Sequence, residues 1–241
     1  MIALIDADII CYSVGYAAKD DPLPFALHSV NKMIDNILDK VGTDEYYCFL
    51  TGSNNYRHEV ATIKPYKGNR KQEKPVHYAA IRQYLIDKHE AKLVEGQEAD
   101  DAMGIMQTAL GKDSCICTID KDLDMIAGKH YNWRRDELYD VQPIDAELFF
   151  YKQLLMGDST DNIQGIAGVG EKKAQKMIEY ALEEFTESHE GYSAETELEE
   201  VYWEVLHQYA IAHDRPMEAL LENARLLWIR RKGNEMWEPD W

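Results

Sequence analysis

Short apolar runs that end in an acid alternate with stretches of three-and-four spacing over the first half of the chain. Ile2 to Asp6 (IALID) reads as a buried strand, and Phe25 to Val41 as a helix whose Leu27, Val30, Ile34, Ile37, Leu38 and Val41 share one face, with Gly42 as its stop. YYCFLT at 46 to 51 is a second strand closed by Gly52. A helix over about 77 to 89, a weak strand LVE at 93 to 95, a helix over about 98 to 110 and a strong buried strand CICTI at 115 to 119 follow. Strands alternating with helices predict an α/β fold: a mostly parallel central sheet flanked by helices, with ligands outside the carboxyl ends of its strands. Past about residue 145 the strands stop. The pattern then predicts helices over 146 to 156, 171 to 182, 198 to 211 and 217 to 229. Residues 53 to 76 have no period and hold Pro65, Gly68 and Pro75, so they read as an exposed excursion.

Composition narrows this picture. At 241 residues and 45% hydrophobic content the chain can bury a sizeable core. No stretch reaches the roughly 18 apolar residues of a membrane helix, and Asp6 interrupts the amino terminus too early for a signal peptide, so a cytoplasmic location is expected. Cys11, Cys48, Cys115 and Cys117 lie in apolar runs without C-x-x-C spacing and read as reduced core thiols. The net charge of −18 argues against coating nucleic acid by general electrostatics. The charge is nevertheless segregated: nine glutamates and no lysine or arginine fall between Glu183 and Glu204, whereas Arg57 to Lys74 carries six basic residues against Glu59 and Glu73. A local anion-binding surface is compatible with that arrangement.

Eight acids stand in telling places: Asp6, Glu98, Asp100, Asp101, Asp120, Asp122, Asp158 and Asp161. Asp6 and Asp120 follow apolar strands, and the next helix start delivers Glu98, Asp100 and Asp101 to the same carboxyl edge. Ionised carboxylates within a few ångströms raise one another's pKa, and a divalent cation relieves that repulsion. Oxygen donors without clustered histidine or cysteine suit Mg²⁺ or Mn²⁺. Each acid taken alone is also a good turn residue or helix N-cap, and Asp8 has no independent role in the pattern.

Arg57, Lys64, Tyr66, Lys67, Arg70, Lys71 and Lys74 fall in the unpatterned excursion with Tyr56. Cations interleaved with aromatics suit a nucleic-acid strand, and a solvated charged loop is the competing reading. The run Gly157 to Ala174 places Gly165, Gly168 and Gly170 before a helix that starts with Lys172 and Lys173. Backbone N–H groups at such a turn can approach a phosphate. Neither a dinucleotide fingerprint nor a P-loop is present, so no nucleotide cofactor is expected.

LIDADI at 4 to 9, EGQEADD at 95 to 101, TIDKDLDMI at 118 to 126 and GDSTDNIQGIAGVGEKKA at 157 to 174 resemble, in order and spacing, the motifs of the 5′ nuclease family. That family includes flap endonucleases, the 5′-to-3′ exonuclease domain of bacterial DNA polymerase I and exonucleases of tailed phages. YRHEVATIKPYKGNRKQEKP at 56 to 75 resembles its basic helical arch, with Tyr66, Lys67 and Arg70 as the Tyr-Lys-x-x-Arg element. The resemblance covers about residues 4 to 180 and implies a PIN-like core with a helical DNA-binding subregion. By this likeness one 5′ nuclease domain spans 1–241, with its α/β core and arch in 1–145 and its helical part in 146–241.

By that resemblance Asp6, Glu98, Asp100 and Asp120 hold one Mg²⁺ or Mn²⁺, with Asp101 acting directly or through water, and Asp122, Asp158 and Asp161 serve a second. Asp120 counts with Lys67 and Arg70 among the catalytic groups, the last two steering the scissile phosphate. Arg57, Lys64, Tyr66, Gly165, Gly168, Gly170, Lys172 and Lys173 complete the DNA-binding set, with K⁺ at the glycine turn. The implied partner is DNA with a 5′ end or flap. The alternatives are a ribonuclease on RNA–DNA hybrids and a catalytically silent DNA-binding member. Thr51-Gly52-Ser53 departs from the family at a position where an acid is usual, Gln164 stands where proline is common, and Lys173 where threonine is common. The glutamate-rich 183 to 204 matches no motif and is expected to be a solvated helical face.

Overall fold

The computed structural model describes residues 1–71, 73–188 and 194–239. The chain divides into two compact units. One holds Met1–Asn55, Lys71–Val141 and Ile229–Asn234, and the other Tyr56–Arg70, Gln142–Trp228 and Glu235–Trp241. The basic excursion, expected within the α/β part, is therefore divided: Tyr56–Arg70 is counted with the helical unit and only Lys71 onward with the sheet.

The first unit contains β1 (Ile2–Asp6), α1 (Ala7–Ala17), α2 (Leu23–Val41) and β2 (Tyr46–Thr51). The single turn α3 (Arg57–Val60) belongs to the second unit. The first unit continues with α4 (Tyr78–His89), β3 (Lys92–Val94), α5 (Ala99–Leu110), β4 (Ser114–Cys117), β5 (Gly128–Asn132) and β6 (Glu137–Val141). The six strands are ordered β3-β2-β1-β4-β5-β6. All neighbours pair in parallel except β5 with β6. The predicted mostly parallel sheet flanked by helices is the observed one.

Helix α1 and strands β5 and β6 escape the apolar pattern. In α1 the buried Ala7, Ile10, Cys11 and Val14 have helical spacing, but Ile9, Tyr12, Val14, Gly15 and Tyr16 are poor helix formers, and tertiary packing overrides them. Glycine at position 15 has a packing reason, since a Cβ there would stand 2.6 Å from Pro75 Cγ. The core beneath the sheet is built from Ile5, Ile10, Val14, Ile34, Ile37, Leu50, Ile81 and Leu85. Each such buried side chain contributes about 1.5–3 kcal/mol. The four cysteines are free and buried, as expected, and burial pushes the Cys11 and Cys48 thiols up to about 12.

The second unit is mainly helical: α6 (Pro143–Met156), α7 (Glu171–Ser188), α8 (Ala194–Ala212) and α9 (Pro216–Leu227). The expectation that strands stop near 145 fails at one place. Gly157–Asp158 (β7) and Ile163–Gln164 (β8) form a short antiparallel pair. The cause is close backbone approach, since a Cβ on Gly157 would lie 2.2 Å from Gly165 N and one on Gly165 2.1 Å from the Met156 carbonyl carbon. Part of the glutamate-rich segment, 189–193, lies outside the described residues. Within its stretch of α8, Val201 and Tyr202 are buried.

Candidate active site

Parallel register brings the acids of the first unit to one edge. Ile5 is level with Cys48 on one side and Cys117 on the other, so Asp6 stands level with Phe49 and the residue after Cys117 is Thr118. Thr118 Oγ1 donates to Asp6 Oδ2 at 2.8 Å and accepts from Asp120 N at 3.0 Å. Asp6 Oδ1 accepts from Ile9 N at 3.1 Å, which makes Asp6 the N-cap of α1. Asp120 likewise caps a 3₁₀ turn over Lys121–Met125, accepting from Asp122 N at 3.0 Å. Strand β4 ends three residues earlier than the acid, at Cys117. Capping and strand-end placement thus coexist in the same residues.

Asp6 is only 3% exposed. Burial, and then the neighbouring carboxylate of Asp8, push its carboxyl up to about 7, with Asp120 adding to the rise. Asp8, which the sequence pattern left without a role, is a member of this edge. Its Oδ2 accepts from Thr51 N at 2.8 Å and its Oδ1 pairs with Arg82 Nη1 at 3.1 Å, while Arg82 Nη2 donates to Thr51 O. Burial raises the Asp8 carboxyl, and the nearby Glu98 charge raises it further. Arg82 had no signal in the sequence beyond its place on a helix.

The start of α5 is a capping box. Glu98 accepts from the N3 backbone and Asp101 Oδ2 accepts from Glu98 N at 3.0 Å. Asp101 is fully buried, and its other oxygen accepts from Arg230 N at 3.1 Å. Both oxygens are thereby engaged by backbone N–H groups. Thr51 Oγ1 accepts from Ala99 N at 3.0 Å, fixing the α5 start against the end of β2. Asp100 and Asp122 stand half-buried beside Glu98 and Asp120 in sequence.

Beyond β2 and β3 the register Thr51 with Val94 brings Gly52 level with Glu95. Glu95 Oε2 accepts from Ser53 N at 2.9 Å and from Ser53 Oγ at 2.6 Å. These bonds hold its carboxyl below the usual range.

Among the described residues, no three histidine, cysteine, aspartate or glutamate side chains converge closely enough to hold a metal ion. Asp6, Asp8, Asp101 and Asp120 each accept a backbone N–H. The donor set itself is all oxygen, the type that suits a hard divalent cation.

In the second unit Asp161 is the hub. Its carboxylate takes Tyr66 Oη at 2.7 Å, Arg70 Nη2 at 2.7 Å and Lys67 Nζ at 3.6 Å. Lys67 N also donates to Asp161 O at 2.9 Å, and Asn69 Nδ2 to Ser159 O at 2.6 Å. Asp158 Oδ1 accepts from Thr160 N at 2.6 Å. The turn from Pro65 to Arg70 is therefore laced to residues 159 to 162, and Lys67 adopts φ +55° within it.

No family model matches the chain. Over 206 residues it is 27% identical to DNA polymerase I of Bacillus caldotenax, covering 73% of this chain and 23% of that protein. Over 190 residues it is 25% identical to the 5′-3′ exonuclease of Bacillus subtilis, covering 68% of this chain and 62% of that protein. The chain thus spans about a quarter of the polymerase it matches and under two thirds of the exonuclease. The bacteriophage T5 5′-exonuclease, solved with zinc bound, has the same fold, with a TM-score of 0.59, 18% identity and coverage of 92% of this chain and 99% of that one. The T5 flap endonuclease in complex with DNA and metal ions gives a TM-score of 0.58 at 16% identity, covering 92% and 98%. In sequence the chain is similar to the 5′-3′ exonuclease and DNA polymerase I relatives, and in fold to the T5 5′-exonuclease.

Some positions carried over from the family's motifs do other work here. Arg57 is 2% exposed and donates from Nε to Leu226 O at 2.8 Å and from Nη2 to Trp228 O at 2.7 Å. It ties α3 to the end of α9 and is not a surface phosphate contact. Tyr66 is buried, with its hydroxyl on Asp161, so its ring is not presented to a base. Gly165 is buried against Met156 and Gly157, which explains the glycine by strand packing instead of phosphate approach. Lys64, Gly168, Gly170, Lys172 and Lys173 are exposed, and Gly168 has φ +74°, a conformation that favours glycine. No described helix is long and apolar enough to cross a membrane.

Proposed function

We propose that the protein is a metal-dependent 5′-to-3′ exonuclease or structure-specific 5′ nuclease, hydrolysing DNA phosphodiester bonds near a 5′ end. The observation that carries this reading is the Thr118 hydroxyl that donates to the buried Asp6 carboxylate and accepts from Asp120 N, which sets the two acids side by side at the carboxyl edge of the sheet. The relatives named as 5′-3′ exonuclease and flap endonuclease support the same chemistry.

Bound Mg²⁺ or Mn²⁺ supplies an activated water and charge neutralisation at the phosphate. Asp6, Glu98, Asp100 and Asp120 are the residues we assign to one ion; Asp122 in the first unit, and Asp158 and Asp161 in the second, are further acids we assign to metal binding. Thr118 orients Asp6 and Asp120 together through its hydroxyl. Arg82 holds Asp8 and the end of β2 in place. Lys67 and Arg70 neutralise charge developing on the scissile phosphate, a preorganised electrostatic contribution. Gly168, Gly170, Lys172 and Lys173 grip the duplex backbone at the start of α7, with K⁺ at the turn.

Duplex DNA labelled at its 5′ or its 3′ end, incubated with Mg²⁺ or with EDTA, tests the reading. Mg²⁺-dependent release of short 5′-labelled products is the expected result. An intact but bound duplex in both Mg²⁺ and Mn²⁺ would instead favour a DNA-binding protein, the reading that Gly52 at an otherwise acidic position also allows.

A further inference from the structure

We propose that Thr62 and Ile63 form a cradle for a backbone phosphate of DNA, and that the Glu222 carboxylate occupies this cradle when DNA is absent, an assignment that rests on the DNA-directed reading of the protein. Glu222 lies on α9 in the helical unit, which also holds the chain from Tyr56 to Arg70. Its Oε1 accepts from Thr62 N at 2.9 Å and from Ile63 N at 2.8 Å, and its Oε2 accepts from Thr62 Oγ1. Two successive backbone N–H groups and a hydroxyl thus converge on one anion. Successive N–H groups turned to one side make a concavity that suits a carboxylate or a phosphate, because both present paired, negatively charged oxygens.

The surroundings favour exchange over a fixed tether. Thr62, Ile63 and the following Lys64 are exposed, so the cradle is open to solvent and a cation stands next to it in the chain. This stretch is also held without Glu222. Arg57 fixes its start through the carbonyls of Leu226 and Trp228, and beyond the cradle Asn162 Nδ2 donates to Pro65 O at 2.9 Å. Neither contact involves an anion, so an incoming phosphate has no reason to displace it. The Glu222 carboxylate is different, because a phosphate can replace it donor for donor. The same segment repeats the arrangement a few residues on, where Lys67 and Arg70 bond the carboxylate of Asp161. An internal competitor lowers the apparent affinity by the fraction of time that the site stands open, so DNA gains this contact only by displacing Glu222.

The test is binding of a fluorescent DNA duplex with a 5′ single-stranded tail to the full chain, by anisotropy in EDTA at about 0.1 M salt. Glu222→Ala empties the cradle and is expected to bind about fivefold tighter than native, with Glu222→Gln moving in the same direction. Glu218→Ala, which removes an exposed charge one turn away on the same helix, is expected to stay within about twofold of native. In the Glu222→Ala background the Thr62 hydroxyl serves only the phosphate, so adding Thr62→Val is expected to cancel the gain and adding Thr62→Ser to keep it. A purely structural tether predicts the opposite sign, since a loosened segment must be ordered again on binding. Three results overturn the cradle and leave DNA binding standing: Glu222→Ala and Glu222→Gln binding as the native protein does or more weakly, a gain matched by Glu218→Ala, or a gain that survives Thr62→Val. Native protein that does not bind the duplex overturns both.

Discussion

Arg70 Nη2 and the Asp161 carboxylate lie 2.7 Å apart, and Lys67 Nζ reaches the same carboxylate at 3.6 Å. The cations we assign to the scissile phosphate and an acid we assign to a metal are each other's partners. A cation at Asp161 and a phosphate at Arg70 would both compete with this contact, so substrate and metal loosen it together. Arg70→Ala is expected to slow cleavage on the order of 10²-fold, as for loss of one preorganised donor, without weakening Mn²⁺ binding. Single-turnover rates beside a Mn²⁺ titration check this. A rate within about threefold of native would remove Arg70 from the chemistry.

Arg57 makes the opposite prediction. Its guanidinium is buried and bonded to the carbonyls of Leu226 and Trp228, with Tyr56 against it at 4.8 Å. Arg57→Ala strands those carbonyls without donors and is expected to cost about 2–4 kcal/mol of stability in urea unfolding. DNA affinity, measured well below the unfolding midpoint, should change little. A large affinity loss in a stable variant would return Arg57 to the DNA surface.

How far the sequence was legible follows from what each residue's signal depends on. The strand IALID and the helix ending at Gly42 were readable because their local pattern and their packing agree. Helix α1 was not, because its buried face is made of residues with poor helix propensity. Strand β6, ELYDV, is an edge strand with exposed charges, which protects the edge but erases the apolar signature. The placement of Asp6 at a strand end and of Glu98 at a helix start was legible from the apolar pattern. Arg82 and Thr118 act through contacts between distant segments, which local spacing does not encode. Arg57 misleads for the same reason: a basic residue in a basic run carries no mark of burial.

His130 on β5 sets a pH dependence of stability. The ring is 1% exposed and bonds Ile126 O through Nε2 at 2.7 Å, so the neutral tautomer with its proton on Nε2 fits. Nδ1 has no hydrogen-bond partner among the described residues and lies 4.0 Å from Asp124 Oδ1. Burial lowers the pKa, outweighing Asp124 and Asp140, which act to raise it. The unfolded chain therefore takes up a proton below about pH 6.5 that the folded protein refuses, and stability present at neutral pH falls as the pH drops from there toward the folded value. His89, also lowered by burial, adds in the same sense. Urea midpoints from pH 7.5 to 5 should fall for the native protein and fall less for His130→Phe, by about 1 kcal/mol. Parallel slopes would show that the ring titrates as it does in the unfolded chain.

Asp6 carries a cost that the proposed metal site would offset. Its carboxyl is pushed from 3.8 up to about 7, chiefly by burial. A raised folded pKa means that the folded protein holds a proton the unfolded chain releases, so stability is lost as pH rises from about 4 and the full cost is present above 7. In EDTA at pH 8, Asp6→Asn is expected to be more stable than native by about 1–3 kcal/mol, since the amide still offers an oxygen to Ile9 N or Thr118 Oγ1. With Mg²⁺ the order narrows or reverses, because binding to the folded state stabilises only a protein with the carboxylate to hold the ion. Thermal unfolding of both proteins with and without Mg²⁺ measures the four values needed. An Asp6→Asn variant that is less stable in EDTA would show that the capping bond outweighs the buried charge, and a Mg²⁺-induced rise equal in both would take Asp6 out of the metal site.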